Sequence, residues 1–147
     1  MSIVYKPKDG PASAEGYNRQ SLREARLIAG HGIEGDSKGG SAKRQLNVMA
    51  HEIVQELAGE GFLAEPGQLG EQLILSGVKI DSLPIGTHLK IGESAVIELV
   101  EPRTGCGKFE RHQSRLKSEA AGRMGMMAMV TADGVIRVGD PVIIVAK

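Results

Sequence analysis

Apolar positions along this chain recur mostly at every second residue, in short runs cut by glycine, proline and acidic side chains. Ser2–Tyr5 reads as an opening strand, stopped by Lys6-Pro-Lys-Asp-Gly-Pro11, where proline and glycine supply turn geometry. Polar chain follows to Gln20. Leu22–Ile28 has a ragged period that suits a strand, with a helix as the alternative, and Ala29-Gly-His-Gly32 breaks it. Gly32–Gly40 is a loop dense in glycine and charge. Gln45–Met49 alternates as a strand does, whereas Ile53, Val54 and Leu57 predict a short helix over His51–Leu57, closed by Gly59 and Gly61.

Pro66–Gly70 is a turn-rich loop leading into apolar Leu73-Ile-Leu75. Thr87–Ile91 and Ala95–Val100 flank Gly92-Glu-Ser94, which predicts a hairpin. Phe109–Ala121 is polar and helix-compatible. Met126–Thr131 and Val135–Val138 flank Ala132-Asp-Gly134, which predicts a second hairpin, and Val142–Val145 is a closing strand. Short strands, 20 glycines and one or two short helices predict one mainly β domain over residues 1–147, a barrel or sandwich and not a βαβ fold.

Composition narrows the function classes. Aromatics are only 3% of the chain, so the core is built from aliphatic residues and Met, and base stacking on aromatic platforms is not expected. Eighteen basic residues balance eighteen acidic ones, which argues against a nucleic-acid partner and permits a homo-oligomer. A single cysteine forms no internal disulfide and points to a reducing compartment. Without a signal-like or membrane-length apolar run, the expectation is a cytoplasmic protein with no membrane association.

Chemistry concentrates at Cys106, in Glu101-Pro-Arg-Thr-Gly-Cys-Gly-Lys-Phe109. Glycines on both sides remove bulk around the thiol, and Arg103, Lys108, Arg111 and His112 are close in sequence. Cationic neighbours lower a thiol's pKa, and the thiolate is both nucleophile and metal ligand. A small buried hydrophobe is the competing reading. Gly32-Ile-Glu34-Gly35-Asp36 could cradle an anion with backbone amides, or simply be a turn in which Asp36 bonds its own backbone. Arg44 and Arg123 suit phosphate by their planar forks, yet each also fits a solvated surface charge. The four histidines form no close-spaced ligand pair, and Met124, Met126, Met127 and Met129 read as core filler.

Taken in order, eight segments resemble the MOSC domain family, named for the C-terminal domain of molybdenum cofactor sulfurases. They are Gly32–Asp36, Arg44-Gln45, Pro66-Gly-Gln-Leu-Gly-Glu-Gln-Leu73, Leu83-Pro-Ile-Gly-Thr87, Ile91-Gly92, Glu101–Cys106, Gly122-Arg-Met-Gly125 and Val138-Gly-Asp-Pro141. The resemblance implies a mixed, barrel-like β fold with a few short helices. It implies that Cys106 carries sulfur as a persulfide or ligates molybdenum. It makes Gly32, Glu34, Gly35, Asp36, Arg44, Arg103, Thr104 and Arg123 candidate contacts for a phosphate-bearing molybdopterin cofactor. The chain departs from the family pattern at Gly105, at Ser37-Lys-Gly39 and at Gln72, where the family commonly has Asn.

Three functions follow from this resemblance. One is a sulfur-carrier or cofactor-binding domain working with a cysteine desulfurase or a molybdoenzyme partner. Another is a stand-alone molybdoenzyme that reduces N-hydroxylated substrates with separate redox partners. The last is a non-catalytic small-ligand-binding barrel.

Overall fold

The computed structural model describes residues 2–5, 20–35, 45–104 and 107–146. Its strands are β1 (Ser2–Tyr5), β2 (Gln20–Leu22), β3 (Glu24–Ile28), β4 (Gly32–Ile33), β5 (Leu46–Ala50), β6 (Leu73–Leu75), β7 (His88–Ile91), β8 (Ala95–Pro102), β9 (Met126–Ala132), β10 (Gly134–Arg137) and β11 (Val142–Ala146). Helix α1 spans His51–Gly59 and α2 spans Gly107–Gln113. Eight strands form one curled sheet in the order β11-β7-β8-β9-β5-β6-β1-β2, and β10-β3-β4 form a second. This is the mainly β, barrel-like architecture that the strand pattern predicts.

The larger sheet is mixed. All its pairs are antiparallel except β5 with β6, which run parallel because α1 carries the chain between them. Around these two strands the sheet is buried on both faces. Leu46, Val48, Leu73 and Leu75 enter the inner core with Leu89, Ile97 and Leu99, and Leu27, Ile33 and Ile136 of the small sheet close it. Met49 and Ile74 point the other way, into an outer core with Val54 and Leu57 of α1, Phe62, Leu69, Met124 and Phe109 of α2. Double burial explains why β6 is an unbroken apolar run instead of an alternation.

Two expectations need correction. The segments around Ala132-Asp-Gly134 do not form a hairpin: β9 pairs with β5 and β8, whereas β10 pairs with β3 in the other sheet. Asp133 accepts the Ala29 amide at 2.7 Å, and a Cβ at Gly134 would lie 2.5 Å from the Ala95 nitrogen. The turn is therefore spent on crossing between sheets. The Gly32 loop contains β4, which pairs with β3. The helix-compatible stretch Phe109–Ala121 divides into α2 and a 3-10 turn at Lys117–Ala120, parted at Ser114, whose φ is +56°.

At the C-terminal edge of the larger sheet, Ile143, Ile144 and Val145 of β11 are each about half exposed. No helix among the described residues is long and apolar enough to cross a membrane.

Strands β8 and β9 slip register between Leu99 and Glu101, so β8 carries one extra residue there. Beyond this bulge, Pro102 sits opposite Met126 and the Arg103 amide donates to the Gly125 carbonyl at 3.0 Å. Gly125 has φ +81°, and any Cβ there would overlap the Val48 carbonyl oxygen. Gly125→Ala is expected to cost about 3 kcal/mol or more in urea unfolding, from strain plus overlap. Gly122→Ala, also at positive φ but in open space, is expected to cost only about 1 kcal/mol. Equal costs would mean that backbone strain alone matters at Gly125.

Candidate active site

Cys106 and Gly105 lie outside the described residues, as do Asp36 and Arg44. The chain on both sides of Cys106 is described, and one loop holds it. Arg103 Nη1 donates to the Leu69 carbonyl at 2.6 Å. On the far side, His112 Nε2 lies 3.1 Å from Gln68 Oε1, and Gln113 Nε2 donates to the Gln68 carbonyl at 3.1 Å. Gln113 also brackets Leu63, accepting its amide at 2.7 Å and donating to its carbonyl at 2.8 Å. Residues three before and six or seven after the cysteine are thus fastened to Gln68 and Leu69. Thr104, between Arg103 and the cysteine, is exposed.

The Pro66–Gly70 loop owes its shape to a buried carboxylate. Glu71 is fully buried and accepts the Gly67 amide at 2.7 Å and the Leu69 amide at 3.2 Å. Gln72, also buried, exchanges bonds with the Asn47 backbone: its Oε1 accepts the Asn47 amide at 2.7 Å and its own amide donates to the Asn47 carbonyl at 2.9 Å. The side-chain oxygen at position 72 and the backbone amide there both join the loop to β5. Buried backbone and side-chain groups satisfied in this way fix the loop that holds the cysteine's flanks.

Arg123 is committed elsewhere. Its guanidinium makes a forked pair with Glu60 at 2.5 and 2.9 Å, donates to the Glu119 carbonyl at 2.7 Å and lies 3.5 Å from Glu56. The hydrogen bond from Arg123 holds the Glu60 carboxyl below its usual range. Arg115 adds to the clamp, donating to the Glu60 carbonyl at 2.8 Å and stacking 4.3 Å over the Phe62 ring. These contacts tie the end of α1 to the segment after α2.

The described part of the Gly32 loop, residues 32–35, packs on Gln45. A Cβ on Gly32, whose φ is +117°, would lie 2.9 Å from the Gln45 carbonyl oxygen, and Gln45 Oε1 accepts the Val130 amide at 2.8 Å. The His31 and Glu34 amides are spent on the Ile28 and Arg26 carbonyls, and Glu34 and Gly35 are exposed. Gly32 packs on Gln45, and Gly125, which holds Arg103, packs on Val48, three residues and roughly 10 Å away along the chain entering β5. The described parts of the two motifs are attached that far apart. No group of three His, Cys, Asp or Glu suited to a metal ion occurs among the described residues.

Residues 35–143 match the MOSC domain family. The chain belongs to that family. No curated protein matches it. Among solved structures, YiiM from Escherichia coli superposes with a TM-score of 0.72 at 22% identity, covering 100% of this chain and 71% of that one. The YuaD protein from Bacillus subtilis gives 0.78 at 17%, covering 96% and 91%. YiiM from Geobacillus stearothermophilus gives 0.75 at 19%, covering 98% and 73%. At these identities the likeness concerns the fold.

In this MOSC domain the sequence motifs did not reveal Asp81. Its Oδ1 accepts the Gly125 amide at 3.0 Å, while its Oδ2 is closed to water without a partner. Asp81, Gly125 and Arg103 therefore form a hydrogen-bonded line that ends three residues before the cysteine in sequence. A lone acid between Ile80 and Ser82, beside apolar Val78 and Leu83, was the available signal.

Two measurements follow. Gln113→Ala leaves the Leu63 amide and carbonyl without their partner and is expected to lower stability by about 1–3 kcal/mol in denaturant unfolding; an unchanged midpoint would show that water replaces the glutamine. Burial holds the Asp81 carboxyl above the usual aspartate range, against the lowering effect of the Gly125 amide. The native state then keeps a proton that the unfolded chain loses, so stability falls as pH rises from the ordinary aspartate range through the raised value. Asp81→Asn keeps an acceptor for Gly125 and removes that slope. Its stability relative to the parent should therefore rise across the window, and parallel curves would refute the assignment.

Proposed function

We propose that Cys106 is a sulfur-carrying thiol that works between a separate persulfide donor and a separate acceptor. The observation supporting this most directly is the fastening of both flanks of position 106 to Gln68 and Leu69. Flanks pinned on both sides, with glycine on either side of the cysteine in sequence, suit a thiol that must meet macromolecular partners in a fixed orientation. Arg103 and Arg111 are the basic residues that would favour the thiolate.

In the first half-reaction the Cys106 thiolate attacks the terminal sulfur of a donor persulfide. A new S–S bond forms at Cys106, the donor's S–S bond breaks, and the donor leaves as a thiolate. In the second, an acceptor nucleophile attacks the outer sulfur and the Cys106 thiolate is the leaving group. The donor persulfide, of the kind a cysteine desulfurase carries, supplies the oxidised sulfur, so no further oxidant is required.

The family's association with molybdenum cofactor offers another use for a soft thiolate, as a metal ligand. Asp36 and Arg44, two of the candidate contacts for the phosphate end of such a cofactor, lie outside the described residues. Arg123 is paired with Glu60 and Glu56, and in the Gly32 loop the Glu34 amide is spent on the Arg26 carbonyl of β3. Among the described residues the buried polar atoms left without partners are Asn47 Oδ1, Asp81 Oδ2 and His88 Nδ1. No step here passes through that group.

The test is intact-mass spectrometry after incubation with a cysteine desulfurase and cysteine. The parent chain is expected to gain one sulfur, removable by a thiol reductant, and Cys106→Ser is expected to gain none. Equal uptake by both would overturn the carrier role.

A further inference from the structure

On the other side of Asp81 lies a hollow of about 520 Å³, within the size range of small-molecule sites. The last residue of β5, the first turn of α1 and the connection after β6 enclose it. Ala50, Ile53 and Val78 supply apolar wall, and Glu52, Lys79 and Asp81 supply charge. Ile53 and Val78 are partly buried and pack against the inner core, so the wall is firm.

Its chemistry selects one class of occupant. Two carboxylates face one ammonium, so a cation is favoured over an anion. Glu52 Oε1 accepts the Gly77 amide at 3.0 Å, and the charged form of that carboxyl is stabilised. Asp81 uses one oxygen on Gly125 and leaves the other, shut away from water, without a donor. An unmet buried acceptor is costly, and a ligand N–H would relieve it. Presenting Oδ2 to the hollow requires the carboxylate to turn about its broad terminal torsion, which loosens the Oδ1 bond to the Gly125 amide. Apolar walls meanwhile call for hydrocarbon.

We propose that this hollow binds a small amphipathic amine, its ammonium group donating to Asp81 and Glu52 and its hydrocarbon lying on Ile53 and Val78. The proposal does not depend on the role of Cys106. It adds that an occupant is sensed at Gly125, whose amide Asp81 holds and whose carbonyl holds Arg103.

The probe is n-hexylamine, protonated at neutral pH, with hexanoate as the anionic control, titrated into the 15N-labelled chain. Saturable shifts of the Gly77, Ser82 and Gly125 amides are expected with hexylamine, and binding at least about ten-fold weaker with hexanoate. Asp81→Asn is expected to weaken hexylamine about ten-fold, the value of one charge-assisted hydrogen bond. Glu52→Gln, at an exposed position that keeps an acceptor for Gly77, is expected to weaken it several-fold and guards against a folding defect in the first variant. Absence of saturable shifts, equal binding of hexanoate, or unchanged affinity in both variants would each overturn the proposal. So would hexylamine binding that leaves the Gly125 amide unmoved, as regards sensing there.

Discussion

The close approach of the Gly125 peptide to Val48 is the contact on which the rest of the site depends. No side chain can stand at position 125, because the Val48 carbonyl oxygen occupies its place. Pressed onto β5, that peptide offers its amide to Asp81 and its carbonyl to Arg103. The end of β8, the connection after β6 and the turn before β9 meet there. Three residues on from Arg103 comes the cysteine.

Around this node the polar groups do different work from what their types suggest in isolation. Glu71 and Gln72 are buried, yet they act on backbone, shaping a loop and joining it to β5. Arg123 clamps α1, since two glutamates and a carbonyl occupy its fork. Asp81 is half satisfied: one oxygen organises the Gly125 turn and the other lies buried next to a hollow. Burying a carboxylate this way raises its pKa, and only neighbouring structure makes the cost tolerable.

The family likeness and the geometry inform different questions. Membership in the MOSC family fixes the kind of fold and explains why eight separated motifs occur in one order. The geometry says which of those motifs touch. Pro66–Glu71, Arg103 and Gly125 meet directly, whereas the described part of the Gly32 loop is anchored at Gln45, three residues and roughly 10 Å from the Val48 contact of Gly125. A motif list carries no such distances.

Much of the fold was legible in the sequence because it depends on local periodicity. Alternation marked the strands at Gln45–Met49, Thr87–Ile91 and Ala95–Val100, and helical spacing of Ile53, Val54 and Leu57 marked α1. Glycines flanking a lone cysteine singled out position 106. Which sheet a strand joins was not legible, because Ala132-Asp-Gly134 has hairpin composition whichever way the chain turns. Asp133 bonding Ala29, over a hundred residues away, decided that β10 crosses to β3. The same holds for Arg123 and Asp81: what a charge does depends on which distant groups packing places beside it, and no local pattern encodes that.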